Sequence, residues 1–158
     1  MTLSPPARLA RILALAVPAL LLGGAYLSQY GFGLYPCEMC WWQRWPHFAA
    51  VGLALLAYVS PLARFWTALA ALAIVTSGAI GLFHAGVEYG WWPGITSCAL
   101  VAGNGSGNAL EDIMNTPLVR CDQPAWTLFG ISLAGYNFLV STAAGLAIGR
   151  LLMKDRRA

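Results

Sequence analysis

This sequence has very little charge. Asp, Glu, Lys and Arg make up 9% of its 158 residues, where an ordinary soluble domain carries about 25%. A surface facing water on all sides cannot be built from so few charges, so a bilayer must cover much of it. The length allows one compact domain, residues 1–158. No cluster of Lys and Arg is interleaved with aromatic residues, so nucleic-acid binding has no support. There is no internal repeat. There is also no C-x-x-C-H haem attachment, no dinucleotide-binding glycine fingerprint and no iron–sulfur array of cysteines, so none of those electron carriers is expected.

What the sequence does have is apolar runs: 59% of its residues are hydrophobic. Crossing a bilayer as a helix takes about 20 residues, and four runs reach that length: 9–30, 40–59, 65–86 and 125–152. The second has a polar start and a strongly apolar second half. The expected fold is all-α, a bundle of four transmembrane helices. The first run resembles a signal peptide, with Arg8 and Arg11 before an apolar stretch and the small residues Gly23, Gly24 and Ala25 further on. It continues apolar to Tyr26 and three more runs follow, so it is read as a retained span.

Orientation follows from the basic residues. Arg8, Arg11, Arg64, Arg150, Lys154, Arg156 and Arg157, seven of the nine, fall on one side, which is assigned to the cytoplasm together with both termini. Glu38, Glu88, Glu111, Asp112 and Asp122 fall on the other, with Arg44 and Arg120 as its cations. Two outer loops result, at about 31–39 and 87–124. The second contains Gly103-Asn-Gly-Ser-Gly107 and then Asn108–Asn115, where Leu110, Ile113 and Met114 share a helical face. That segment is read as a short helix lying on the membrane surface.

All four cysteines, Cys37, Cys40, Cys98 and Cys121, fall on the outer side, where a bacterial periplasm permits disulfides. Four cysteines allow three pairings. Cys37-Glu-Met-Cys40 closes too small a ring to stabilise much, and such a spacing often tunes thiol chemistry instead. Cys98 and Cys121 close a long loop, which suits a structural bond better. A C-x-x-C can also hold zinc, but the second pair lacks that spacing and a histidine ligand is not obvious, so no metal is expected. Cys40 lies near a helix N-terminus, whose partial positive charge favours a thiolate. Arg44 follows one turn later on the same face, among Trp41, Trp42 and Trp45. Snorkelling to headgroups would explain an arginine there. An arginine beside a thiol at membrane depth is nonetheless a functional candidate. His84 is placed near the outer end of the third span at similar depth, with Glu88 at the same edge, able to pair with Arg44 or His84. Gln43 and Asn137 are explained as well by bonds between helices.

Thiols that are oxidised repeatedly need an acceptor. A thiolate at the bilayer edge beside a cation suits a lipid-soluble two-electron acceptor, and a quinone is the obvious one. Negative charge built on a ring oxygen by thiolate attack would be stabilised by that cation.

Tyr35-Pro-Cys-Glu-Met-Cys-Trp-Trp-Gln-Arg44, His84-Ala-Gly-Val-Glu88, Trp91-Trp-Pro-Gly94, Cys98 and Val119-Arg-Cys-Asp122 resemble the bacterial disulfide bond formation protein B (DsbB) family, over nearly the whole chain. The resemblance implies a quinone-linked thiol oxidase of the bacterial inner membrane. Its partner would be a periplasmic DsbA-like thioredoxin-fold protein and its cofactor a membrane quinone, with ubiquinone favoured over menaquinone. It implies that Cys37 and Cys40 lie next to the quinone with Cys40 facing it. Cys98 would form the mixed disulfide with the partner, and Cys121 would relay to Cys37. Arg44 would contact the quinone and His84 would lie nearby. Two other readings remain. A vitamin K epoxide reductase-like oxidase would favour a fused thioredoxin domain or a C-x-x-C on the fourth span, and neither is present. A non-catalytic membrane scaffold would hold two structural disulfides resistant to mild reductant.

Overall fold

A computed structural model describes residues 4–96, 99–100 and 118–155. Four helices dominate: α1 (Pro5–Phe32), α2 (Glu38–Val59), α3 (Ala63–Glu88) and α4 (Leu133–Asp155). Each packs on its neighbour in sequence, and α4 closes back on α1, so the helices form a four-membered ring. Three of them, α1, α3 and α4, are long and apolar enough to cross a membrane. The 22-residue α2 carries Glu38, Gln43, Arg44 and His47 in its first half. Leu20 and Val59 are 75% and 82% exposed, an apolar outer surface that water would not favour.

The helix ends are set by local chemistry. Ser4 caps α1 by accepting from the Ala7 N–H, and Pro5 and Pro6 occupy the first helical positions, where a missing N–H costs nothing. Gly33 ends α1 at φ 68°, letting the Leu34 N–H reach back to the Ser28 carbonyl at 3.0 Å. Cys37 caps α2 with its sulfur, which accepts from the Cys40 N–H at 3.3 Å. Between α3 and α4 small residues allow close approach. A Cβ on Gly81 would lie 2.9 Å from the Ala134 carbonyl oxygen, and one on Gly145 would lie 2.2 Å from Val75 Cγ2.

At the end of the bundle holding the termini, Ala10, Ala14, Ala50, Ala54, Ala70, Ile74 and Ile148 make an alanine-rich core. Below it Arg64 and Arg11 are tied down. Arg64 bridges to Asp155 at 3.4 Å and donates to the Leu152 carbonyl. Ser4 donates to Asp155, and Arg11 donates to the Ala57 carbonyl. The opposite end holds Cys37, Met39, Val87 and Cys121 in a second, sulfur-rich core.

The structure departs from the sequence expectation at the start of α4. The apolar run begins at Ala125, but the helix begins at Leu133. Residues 127–132 form a tight hairpin, β3 (Thr127–Leu128) against β4 (Ile131–Ser132), Leu128 facing Ile131. Phe129 and Gly130 both have positive φ, 51° and 76°, the conformation that two-residue hairpin turns require. Tyr89 pins this turn from the end of α3: its hydroxyl donates to the Gly130 carbonyl and accepts from the Ser132 N–H, both at 2.8 Å. Hydropathy cannot separate such a turn from a helix, because both are apolar here. A second short pair, β1 (Ala99–Leu100) with β2 (Leu118–Val119), closes the long loop. The surface helix expected at 108–115 lies outside the described residues, as does Cys98.

Candidate functional site

The capping role of Cys37 brings its sulfur back over the first turn of α2, 3.0 Å from Cys40 Sγ. Cys37, Cys40 and Cys121 are unbridged. The Cys37 thiol is pushed above its usual range, first by its hydrogen bond with Cys40 and next by burial. Cys121 arrives from the loop after β2. Its sulfur, Cys37 Sγ and a His84 ring nitrogen all lie within 4.8 Å of one another. Beside it Arg120 holds Asp122 in a two-bond fork, Nε to Oδ1 at 2.8 Å, which keeps that exposed carboxyl below its usual range.

His84, 2% exposed, is the histidine the cysteine spacing did not reveal. Its Nε2 lies 3.5 Å from Cys37 Sγ and 3.7 Å from Glu88 Oε1. Glu88 therefore lies beside His84 and not beside Arg44. On the other ring nitrogen, the Gln43 amide donates to Nδ1 at 2.8 Å. An amide NH₂ can only donate, so neutral His84 carries its proton on Nε2. That nitrogen offers a donor to the Cys37 sulfur.

Arg44 is 6% exposed, which rules out snorkelling as its whole role. It turns toward α1, where Nη1 donates to Gln29 Oε1 at 2.7 Å and Nη2 to the Ala25 carbonyl at 3.3 Å. The rings of Tyr26 and Trp41 each lie 4.9 Å from the guanidinium carbon. A cavity of about 270 Å³ opens beside it, lined by Cys40, Gln43, Arg44, His47, Ala134 and Asn137 among mainly apolar residues. An apolar cavity of about 150 Å³ suffices for benzene, so this one has room for a substituted ring. His84 lines a second cavity of about 300 Å³ with Cys37, Glu88 and Arg120. Cys40 lines both, and so forms part of the wall between them.

A chain of hydrogen bonds runs alongside this wall. Asn137 on α4 donates to Gln43 Oε1 at 2.8 Å and to the Ser77 carbonyl at 3.1 Å. Its own Oδ1 accepts from His47 Nε2 at 2.9 Å and from Ser141 at 3.0 Å. Gln43 and Asn137 do bond between helices, as the sequence suggested, but they also link His84 to His47. His47 and Gln29 were missed in the sequence. His47 could have been found by its spacing, three residues past Arg44 and so on the same face. Gln29 carries no such signal.

The family model of the disulfide bond formation protein DsbB matches residues 7–150. The chain is 33% identical to the disulfide bond formation protein B of Verminephrobacter eiseniae (strain EF01-2), over 96% of this chain and 89% of that protein. It is 30% identical to the protein of the same name from Polaromonas sp. (strain JS666 / ATCC BAA-500), over 94% and 90%. An uncharacterized protein, RP370, of Rickettsia prowazekii (strain Madrid E) is 24% identical over 89% and 85%. No solved structure matches the chain.

Proposed function

The chain belongs to the DsbB family of disulfide bond formation proteins, and from that premise we propose that it is a protein-thiol:quinone oxidoreductase of the bacterial inner membrane. In this reading it reoxidises a periplasmic DsbA-like thioredoxin-fold partner and passes the electrons to a membrane quinone, ubiquinone ahead of menaquinone. All four helices span the bilayer as one domain, with both termini cytoplasmic and the cysteines periplasmic.

The observation that carries the reading is the position of Cys40. Its sulfur is 3.0 Å from Cys37, and the residue also lines the apolar cavity beside Arg44. A thiolate there can exchange with a neighbouring sulfur on one side and meet a ring on the other. The roles follow in order. The partner's thiolate attacks Cys98 of a Cys98–Cys121 disulfide, which forms the mixed disulfide and releases Cys121. In the oxidised form, where Cys37 and Cys40 are bonded to each other, Cys121 then attacks Cys37, whose Sγ lies within 4.8 Å, and Cys40 leaves as the thiolate. His84 Nε2 lies 3.5 Å from Cys37 Sγ and holds that sulfur in place for the attack. The fork of Arg44 supplies donors to a ring oxygen in the cavity. A quinone bound there supplies an acceptor for two electrons and two protons, which are what a pair of thiols gives up on forming a disulfide.

The test is quinone reduction by the purified protein with a reduced thioredoxin-like donor. Stoichiometric loss of donor thiols and of quinone supports the reading. A protein that stays folded and reduces no quinone would exclude it.

A further inference from the structure

His47 is 3% exposed and lies one turn below Arg44 on the cavity wall. Its surroundings fix its proton. Asn137 spends both hydrogens of its amide elsewhere, on Gln43 Oε1 and on the carbonyl and hydroxyl oxygens of Ser77. Its Oδ1 is therefore the atom that faces His47, and it accepts at 2.9 Å, so the His47 proton sits on Nε2. The other ring nitrogen, Nδ1, is left with a lone pair. It is buried and has no hydrogen-bond partner. A buried acceptor without a donor is costly. An occupant of the cavity that carries an O–H group would relieve it.

We propose that His47 Nδ1 accepts a hydrogen bond from a ring hydroxyl of the reduced ligand, and so makes this cavity bind a hydroquinone in preference to the same ring without a hydroxyl hydrogen. This deepens the quinone reading given above and rests on it. Arg44 and His47 then divide the two states of one ring. The guanidinium has only donors, so it suits the carbonyl oxygen of the oxidised form. The bare Nδ1 has only a lone pair, so it suits the hydroxyl of the reduced form. Two thiols and a quinone give a disulfide and a hydroquinone, with two electrons and two protons transferred. His47 takes no net proton in that balance. It recognises the O–H bond that the reaction has made.

The experiment measures binding, not turnover. Detergent-solubilised protein with its cysteines oxidised is titrated under argon with a short-tailed benzoquinone, the matching hydroquinone and the dimethyl ether of that hydroquinone. With the cysteines oxidised, neither the quinone nor the hydroquinone is consumed. Wild type should bind the hydroquinone about tenfold more tightly than the ether, the net worth of about one buried hydrogen bond. His47→Phe should bind the two alike. His47→Gln, which restores an acceptor, should recover part of the preference. The comparison of the two ligands on wild type needs no variant, so it holds even if His47→Phe folds poorly. A wild type with no preference, or a folded His47→Phe that keeps the full preference, overturns the role of His47 and leaves the quinone site standing. Failure of wild type to bind any of the three ligands removes the quinone reading itself.

Discussion

Asn137 and Gln43 meet at 2.8 Å, Nδ2 to Oε1, and this bond joins α4 to α2 at the centre of the polar layer. Through it the two histidines, 37 residues apart in sequence, belong to one hydrogen-bonded chain. Asn137→Leu removes the partner of Gln43 Oε1, His47 Nε2 and Ser141 together. Leaving buried polar atoms unpaired costs about 1–3 kcal/mol, partly offset where helices in a bilayer find other partners. The expected result is a clear drop in the unfolding midpoint in detergent, with lower quinone turnover in the fraction still folded. An unchanged midpoint would mean that the chain of bonds contributes nothing.

Some of this was legible in the sequence. Cys40 and Arg44 are four residues apart, and helical spacing alone places them on one face; both line the cavity. The approach of His84 to Cys37 depends on how α3 slides against α2, which no local pattern encodes. The start of α4 is not legible, because Ala125-Trp-Thr-Leu-Phe-Gly-Ile131 is as apolar as a helix and the turn shows only in the backbone at Phe129 and Gly130. His47 sits inside an aromatic stretch that reads as an interfacial belt, which hides its role.

Orientation is open to direct labelling. Seven basic residues collect at one end of the chain's topology. In a variant lacking native cysteines, single cysteines at Lys154 and at Asn104 should react with a membrane-impermeant reagent from opposite sides. Reaction of both from the periplasm would exclude the assigned topology.

The relay can be broken at its outer end. Cys98→Ser removes the sulfur assigned to the partner and leaves Cys37, Cys40 and Arg44 in place. This variant should bind quinone like wild type and fail to oxidise a reduced thioredoxin-like protein. Full turnover with that protein would remove Cys98 from the pathway.

Arg44 separates anchoring from chemistry. Its guanidinium is held by Gln29 Oε1, the Ala25 carbonyl and the faces of Tyr26 and Trp41. These contacts fix the plane of the fork, and the fork is what a lysine lacks. Arg44→Lys keeps the charge, so it should retain partial activity with a raised quinone KM. Arg44→Ala removes the donors altogether. Loss of one preorganised donor to a developing negative charge costs about 2.7–4 kcal/mol, so its rate should fall about a hundredfold or more. Gln29→Leu leaves the charge and frees the fork, which should raise KM several-fold and change kcat little. A headgroup anchor would give a different pattern, in which lysine substitutes almost freely, alanine lowers stability but not turnover, and Gln29 does not matter. Measuring KM and kcat for the four proteins at equal folded fraction distinguishes the two. Unchanged constants for Arg44→Ala would place the quinone elsewhere than in the cavity beside Cys40.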